Sequence, residues 1–401
     1  MISVQQAEKI VLENVKKLPV VMRPLRGAYG LILREDIKSD RDQPPFDKSI
    51  VDGIALRFSE WQKGVRQFRI AGVQPAGQKA LAVKRAGCCV EIMTGAVVPA
   101  AFDAVIPVEQ IKIVNKVAVV SPHWKVCKGD HIRRQGSDCK KGATLLKVCS
   151  VLGPQQIGIA ASVGRSKLKV TARPRIAIIS TGDELVDIGV SMKPFQTRLS
   201  NSYALEAAFL QTGFCETEIF HIKDNLKEMC GRLAQILKKF DVIVLSGGVS
   251  MGKFDYVPQV LKKLKVRVLF HKVTQKPGKP FWFGKSQEGK PVFALPGNPV
   301  STQVCAYRYV LPYLRKSIGL RSGLTELAVL SQVFEVKTDL TYFLPIQFDS
   351  NAQGKVWAKP VTIGGSGDFA ALAKSQGFVE LAAGKRKFPK GSLVKLFCWK
   401  T

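Results

Sequence analysis

Three short stretches of the chain place glycine beside hydroxyl, amide or carboxyl groups directly after an apolar run. "RIAIIS" (175–180) is followed by Thr181-Gly182-Asp183-Glu184. "DVIVLS" (241–246) ends in Ser246 and is followed by Gly247-Gly248-Val249-Ser250-Met251-Gly252. "PVFAL" (291–295) is followed by Pro296-Gly297-Asn298-Pro299-Val300-Ser301. Glycine lets backbone N–H groups close on a phosphate, and a helix N-terminus behind the loop adds its field. None of the three is a GxxxxGK[ST] P-loop or a GxGxxG dinucleotide fingerprint. Carboxylates accompany them: Asp183, Glu184 and Asp255, with Asp224 in the preceding connection. A carboxylate beside an anion repels it unless a cation lies between, and oxygen donors of this kind point to Mg2+. The plainer alternative puts Asp183 and Glu184 in the charged first turn of a helix. In "QKPGKPFWFG" Lys276 and Lys279 bracket Pro-Gly, which reads as a stiff anion-holding turn or as an exposed charged one.

A second polar set lies earlier. "PFDKSIVDGIA" holds Asp47, Ser49 and Asp52, "MTGAVVPAAFDAVIPVEQ" holds Thr94, Asp103 and Glu109, and "RRQGSDC" holds Asp138. On local chemistry alone, Asp52 is open to an Asx-turn role serving Gly53, and Asp138 has the same option.

The elements that must position these groups follow from pattern. Residues 1–17 read as an amphipathic helix ending before Pro19. Short alternating runs broken by Gly and Pro from about 65 to 125 read as a β domain. Strand and helix alternate over 175–315, which implies a mostly parallel sheet covered on both faces, with ligands beyond the carboxyl ends of its strands. In that region "NSYALEAAFLQTG" reads as a helix capped by Asn201 or Ser202. Short strands return over 322–401, a small barrel-like β domain. The fold class is therefore α/β plus β and multidomain.

The chain has 401 residues, too many for one ordinary core, and 46% are apolar, enough for several. No apolar run reaches a membrane span, and acidic residues interrupt the N-terminal stretch where a signal peptide would be apolar, so the expected location is the cytoplasm. The nine cysteines form no CxxC, and with only four histidines a structural zinc site has little support. Sixty-one Lys and Arg against 31 Asp and Glu give a net charge of +30, which invites an anionic partner. The lysines are dispersed and no nucleic-acid module is present, which argues against a nucleic-acid role.

Taken together, "PPFDKSIVDGIA", "IMTGAVVPAAFDAVIPVE", "IRRQGSDCKKG", "ISTGDEL", "LSGGVSMGKFDYV", "QKPGKPFWFG", "ALPGNPVS" and "GSGDFAALAKSQGFVEL" resemble the MoeA family, the molybdopterin molybdenumtransferases, whose animal relative is the C-terminal part of gephyrin. The motifs occur in family order and span nearly the whole chain. The resemblance implies an elongated homodimer of four-domain subunits: a discontinuous N-terminal domain (1–43 and 130–170), an inserted β domain (44–129), an α/β domain like that of molybdopterin adenylyltransferase (171–320) and a C-terminal β-barrel (321–401). It implies Mg2+-dependent transfer of molybdate into adenylylated molybdopterin with release of AMP. Asp52 and Thr94 match positions presented from the partner subunit. Glu184, Asp224 and Asp255 match functional carboxylates, and Asp138 is retained. On this likeness Asp183, Glu184 and Asp255 position Mg2+ and pyrophosphate, and the Gly247–Gly252 loop meets the pterin phosphate. Lys276 and Lys279 hold molybdate or phosphate, and Ser301 with the Pro-Gly-Asn-Pro turn completes the anion pocket. Contact with molybdopterin adenylyltransferase and with downstream molybdoenzyme maturation proteins is implied as well.

The chain departs from the family at Lys48 (commonly Asn), Ile54 (Tyr), Ser137 (Glu), Ala100-Ala101-Phe102 (glycine-rich) and Lys253 (acidic or polar). The carboxylates and Thr94 stand. A non-catalytic molybdopterin-binding carrier or scaffold and a tungstate-specific paralogue are the alternative readings.

Overall fold

The computed structural model describes residues 1–249, 256–320, 326–362 and 364–400. The chain forms two compact units. One comprises Met1–Arg34, Cys149–Gly153 and Leu168–Thr401, the other Glu35–Val148 and Pro154–Lys167.

The first unit is built on a six-stranded sheet. Its strands are β1 (Arg175–Thr181), β2 (Glu216–Ile222), β3 (Val242–Ser246), β4 (Arg267–His271), β5 (Trp282–Lys285) and β6 (Pro291–Leu295), in the order β2-β1-β3-β6-β5-β4. The first four in that order are parallel, and β5 runs antiparallel to both β6 and β4. Near-continuous apolar runs form β1, β3 and β6 because both faces of the sheet are covered. On one face Ala177, Ile179, Ile243, Leu245, Val292 and Ala294 pack on Met229, Leu233 and Ile236 of helix Leu226–Lys239 and on Val257, Val260 and Leu261 of helix Val257–Lys263. On the other, Phe283 and Phe293 meet Tyr313. Tyr313 belongs to a long helical stretch that starts as Pro299–Cys305, passes through a π-turn at Ala306–Val310 and ends as Leu311–Ser317. The irregular turn precedes Pro312, whose missing N–H removes one regular helix bond.

The N-terminal helix is shorter than its pattern predicts. It runs Val4–Glu13, opened by a capping box between Ser3 and Gln6 and closed at Asn14. At the C-terminal end, strands Thr341–Ser350, Val356–Pro360, Leu327–Leu330, Leu393–Cys398 and Gly377–Leu381 pair in that order. The last also pairs with the first, which closes a five-stranded barrel around Ala328, Leu344, Ile346, Val379 and Leu396. Buried Arg308 binds Glu380 of the barrel at 3.0 Å and Glu8 of the N-terminal helix at 2.8 Å.

The second unit carries another six-stranded sheet, ordered Ala104–Pro107, Gly53–Leu56, Cys88–Ile92, Gln67–Gln74, Val117–Val120, Ile111–Val114. Successive residues along Gly53–Leu56 enter opposite cores: Ile54 and Leu56 join Trp61 and Phe68, while Ala55 joins Val90 and Phe102. That alternation is the two-residue period of a strand.

Candidate active site

The three apolar runs end level with one another. Ser180 pairs with Ser246, and Ser246 with Leu295, so Thr181, Gly247 and Pro296 leave the sheet side by side. The Gly247 N–H still donates to the Leu295 carbonyl at 3.2 Å. Gly247 has φ +95°, and a Cβ there would stand 2.9 Å from the Thr181 carbonyl oxygen, so only glycine lets these two loops meet. Buried Thr181 Oγ1 has no hydrogen-bond partner among the described residues. Leaving a buried hydroxyl unpaired costs free energy.

The helix Ser200–Leu210 begins without the expected side-chain cap. Leu199 occupies the N-cap position and makes no capping bond. Asn201 and Ser202 are used elsewhere, across the strand ends. Asn201 Nδ2 donates to Ser246 Oγ at 3.0 Å and to the Gly297 carbonyl at 2.7 Å, and Ser202 Oγ lies 2.5 Å from Ser180 Oγ. Asn201 thus ties the second loop to the third.

The Pro-Gly-Asn-Pro turn is held from two sides. Thr302 Oγ1 donates to the Pro296 carbonyl at 2.6 Å, and Thr302 N to the Asn298 carbonyl at 2.9 Å. Asn298 Nδ2 donates to Ser366 Oγ at 2.7 Å, and Val300 N to the Ser366 carbonyl at 3.2 Å. Ser301 is buried in the first turn of the helix that follows. The neighbouring Lys-Pro-Gly-Lys turn is built on buried Gln275, whose Nε2 donates to the carbonyls of Pro277 (3.2 Å) and Gly278 (3.3 Å). Tyr309 Oη donates to Gln275 Oε1 at 2.5 Å. Pro277 and Gly278 are buried, and Lys276 and Lys279 are left exposed on either side.

Asp183 and Glu184 lie in a turn that leads into the short strand Leu185–Val186, not in the first turn of a helix. Asp183 Oδ1 accepts the Asp224 N–H at 3.1 Å. The Glu184 carboxylate packs over Gly182, where a Cβ would come within 2.5 Å of Oε2. Ser250, Gly252 and Asp255, together with Lys253, lie outside the described residues. Among the described residues no three His, Cys, Asp or Glu side chains cluster as a metal site. Two neighbouring hard oxygen donors do suit Mg2+, which takes few protein ligands and completes its shell with phosphate and water.

The earlier polar set lies in the second unit. Asp52 Oδ1 accepts two bonds from one residue: Thr94 N at 2.6 Å and Thr94 Oγ1 at 2.8 Å. These bonds, the backbone one first, hold the Asp52 carboxyl below its ordinary range. Its partner is therefore a residue far along the chain, not the adjacent glycine of an Asx-turn. Ser49 is buried beside this pair: its carbonyl accepts Gly95 N at 2.8 Å, and its hydroxyl donates to the Val51 carbonyl at 2.6 Å. Asp138 is engaged separately, by Arg133 Nε at 2.8 Å and Nη2 at 2.7 Å.

The structure thus brings Thr181, Gly247, Gly248, Ser246, Pro296, Gly297 and Asn298 to one sheet edge. It pairs Asp183 with the Asp224 backbone and Asp52 with Thr94. Asn201, Gln275 and Ser366 were not singled out as site residues by sequence. Ser366 sits in a Gly-Ser-Gly-Asp run whose glycines were the available signal. Asn201 offered only its place before a helix.

Residues 2–164 match the MoeA N-terminal region (domain I and II), 177–316 the probable molybdopterin binding domain and 328–398 the MoeA C-terminal region (domain IV). A molybdopterin molybdenumtransferase of Synechocystis sp. is 37% identical over 401 residues, all of both chains. This chain belongs to the MoeA family. A relative of the same name from Staphylococcus aureus is 29% identical over 406 residues, covering 98% of this chain and 95% of that one. The solved structure of a molybdopterin biosynthesis MoeA protein from Pyrococcus horikosii superposes with a TM-score of 0.84 at 29% identity over the whole of both chains. No helix among the described residues is long and apolar enough to cross a membrane.

Proposed function

We propose that this MoeA-family chain is a molybdopterin molybdenumtransferase that takes adenylylated molybdopterin and molybdate, acts with Mg2+ and releases AMP. The observation that carries the reading is the level ending of β1, β3 and β6, which sets Thr181, Gly247 and Pro296-Gly297 side by side at the carboxyl end of the sheet. The buried Thr181 hydroxyl, free of any described partner, is suited to a phosphate or molybdate oxygen. Gly247 and Gly248 let the backbone approach the pterin phosphate, and Lys276 and Lys279 supply positive charge from a turn already fixed by Gln275.

Asp183 and Glu184, with Asp255, would hold Mg2+, which when bound offsets charge on the phosphoanhydride. The protein's own part is electrostatic and positional. Preorganised donors that need not reorganise stabilise charge as it builds on the leaving phosphate. In the homodimer we propose, Asp52 and Thr94 of a second copy complete the site, with Asp52 kept ionised by Thr94. Molybdopterin adenylyltransferase would supply the substrate, and molybdoenzyme maturation proteins would receive the product.

The test is AMP release from adenylylated molybdopterin and molybdate, with and without Mg2+, beside an Asp52→Ala control. AMP that appears only with both metal and molybdate, and collapses in the control, is the expected result. Tight binding of the adenylylated pterin without turnover would instead make the chain a carrier.

A further inference from the structure

We infer that His221 is a positioning residue of the strand-end anion site, acting by locking the peptide plane of Gly182. His221 stands opposite Ser180 in the parallel β1–β2 ladder, one residue before the end of β2. Its Nε2 lies 2.9 Å from the Gly182 carbonyl oxygen. A carbonyl only accepts, so Nε2 carries the proton and donates. The other described donor to that oxygen is Leu185 N, at a long 3.4 Å.

The lock is needed because of where it acts. Gly182 has φ +145°, a conformation that side-chain-bearing residues rarely adopt, and the Glu184 carboxylate fills the space where a Cβ would be. A glycine so placed has alternative peptide orientations open to it at little cost. Rotation of this peptide would move a carbonyl, with its lone pairs, in the loop where an anion is to bind. His221 draws that carbonyl toward β2, the neighbour of β1 opposite to β3, while Gly247 and Gly248 follow β3. A second strut, from Asp224 N to Asp183 Oδ1 at 3.1 Å, ties the same loop to the same side. Arg232 Nη1 in turn holds the His221 carbonyl at 2.9 Å.

The inference rests on the anion site proposed above, and its test separates the two. Inorganic pyrophosphate with Mg2+ is titrated calorimetrically into the wild-type protein and into His221→Leu and His221→Gln, and each is also melted. The Leu variant is expected to bind about three- to tenfold more weakly, the scale of one lost neutral hydrogen bond. The Gln variant, whose amide also donates, is expected to recover most of that loss. All three are expected to melt within a few degrees of one another, since His221 is only partly buried and lies near a strand end. In turnover, the Leu variant should lose kcat/KM by a similar factor. Equal binding by wild type and Leu variant overturns the role of His221 and leaves the anion site standing. Equal loss in Leu and Gln variants, with lowered melting in both, makes the residue merely structural and also overturns it. No pyrophosphate binding by wild type overturns the anion site itself, and this inference with it.

Discussion

Alanine at Gly247 and alanine at Gly297 are the same chemical change on facing loops, yet the structure predicts opposite outcomes. Gly247 has φ +95°, where a non-glycine residue costs about 1–2 kcal/mol. Its new methyl would also meet the Thr181 carbonyl oxygen at 2.9 Å and Thr181 Oγ1 at 3.3 Å. That carbonyl belongs to the last residue of β1, which still pairs with Ile222 of β2, so it has little room to yield. Relieving the contact by moving the loop would lengthen the Gly247 N–H bond to Leu295, now 3.2 Å. Backbone strain and contact together come to about 2–4 kcal/mol. Gly297 has no such φ, and a Cβ there meets Gly247 Cα at 3.5 Å, an ordinary contact. Gly297→Ala should therefore change stability by no more than about 0.5 kcal/mol, or raise it slightly through the unfolded chain.

The assay is urea unfolding followed by tryptophan fluorescence, with pyrophosphate titration of each folded variant. Gly247→Ala is expected to lower the unfolding midpoint and to bind weakly. Gly297→Ala is expected to unfold as wild type, and its binding then reports only on the space between the loops. If the two variants lose stability equally, or if Gly247→Ala is silent, the loops do not meet as described and the argument from close approach is wrong.

Two further perturbations act away from these loops. Thr94→Val removes the hydroxyl bond to Asp52 and keeps the N–H bond, so the Asp52 carboxyl should titrate higher than in wild type. Because its folded pKa is lowered, Asp52 contributes stability that is present above the unfolded carboxylate value, about 3.9, and lost as pH falls through the lower folded one. In the variant the folded midpoint should lie higher, so the contribution is smaller and is fully lost at a higher pH, which carboxyl NMR titration would read directly, and an unmoved midpoint would count against the Thr94 hydroxyl as a cause. Lys290→Met removes a buried ammonium that donates to the carbonyls of Leu237 (2.6 Å) and Lys238 (2.8 Å) at the end of helix Leu226–Lys239. It should cost about 1.5–3 kcal/mol in chemical denaturation, and a neutral result would mean water replaces the ammonium freely.

What the sequence disclosed about this site follows from periodicity. β1, β3 and β6 are legible because each is an unbroken apolar run stopped by Gly or Pro-Gly, and parallel strands with helical crossovers must end on one side. The convergence of Thr181, Gly247 and Gly297 is therefore legible in the sequence. Asn201 was not, because a helix-start asparagine reads locally as a cap, and its use on Ser246 and Gly297 is a tertiary choice. Gln275 was illegible for a similar reason: a glutamine before Lys-Pro reads as exposed, and it is the buried Tyr309 hydroxyl that makes it core. All nine cysteines are free, and Cys127 and Cys149 are exposed. Burial pushes the Cys305 thiol, at the end of the helix Pro299–Cys305, up to about 12, so it is a packing residue with no thiolate to offer.

The mixed charge of the strand ends has a consequence for how the cleft must work. Backbone donors and the Thr181 hydroxyl favour an anion, while Asp183 and Glu184 in the adjoining loop oppose it. Asp183 has one oxygen engaged by a neutral N–H, which leaves its charge in place. Two carboxylates near a diphosphate repel it unless positive charge intervenes; Asp183 and Glu184 are exposed, so solvent screens this to below the value on the order of 2 kcal/mol per pair that ~8 Å and an effective dielectric near 20 would give. Lys276 and Lys279 are exposed and hydrated, so they soften this repulsion without cancelling it. A cation lodged between carboxylates and phosphate removes it and converts the acidic pair from an obstacle into a ligand set. Affinity for a bare phosphate ester should then be weak without metal and rise steeply with it. Replacing Glu184 by Gln should narrow that difference from both ends.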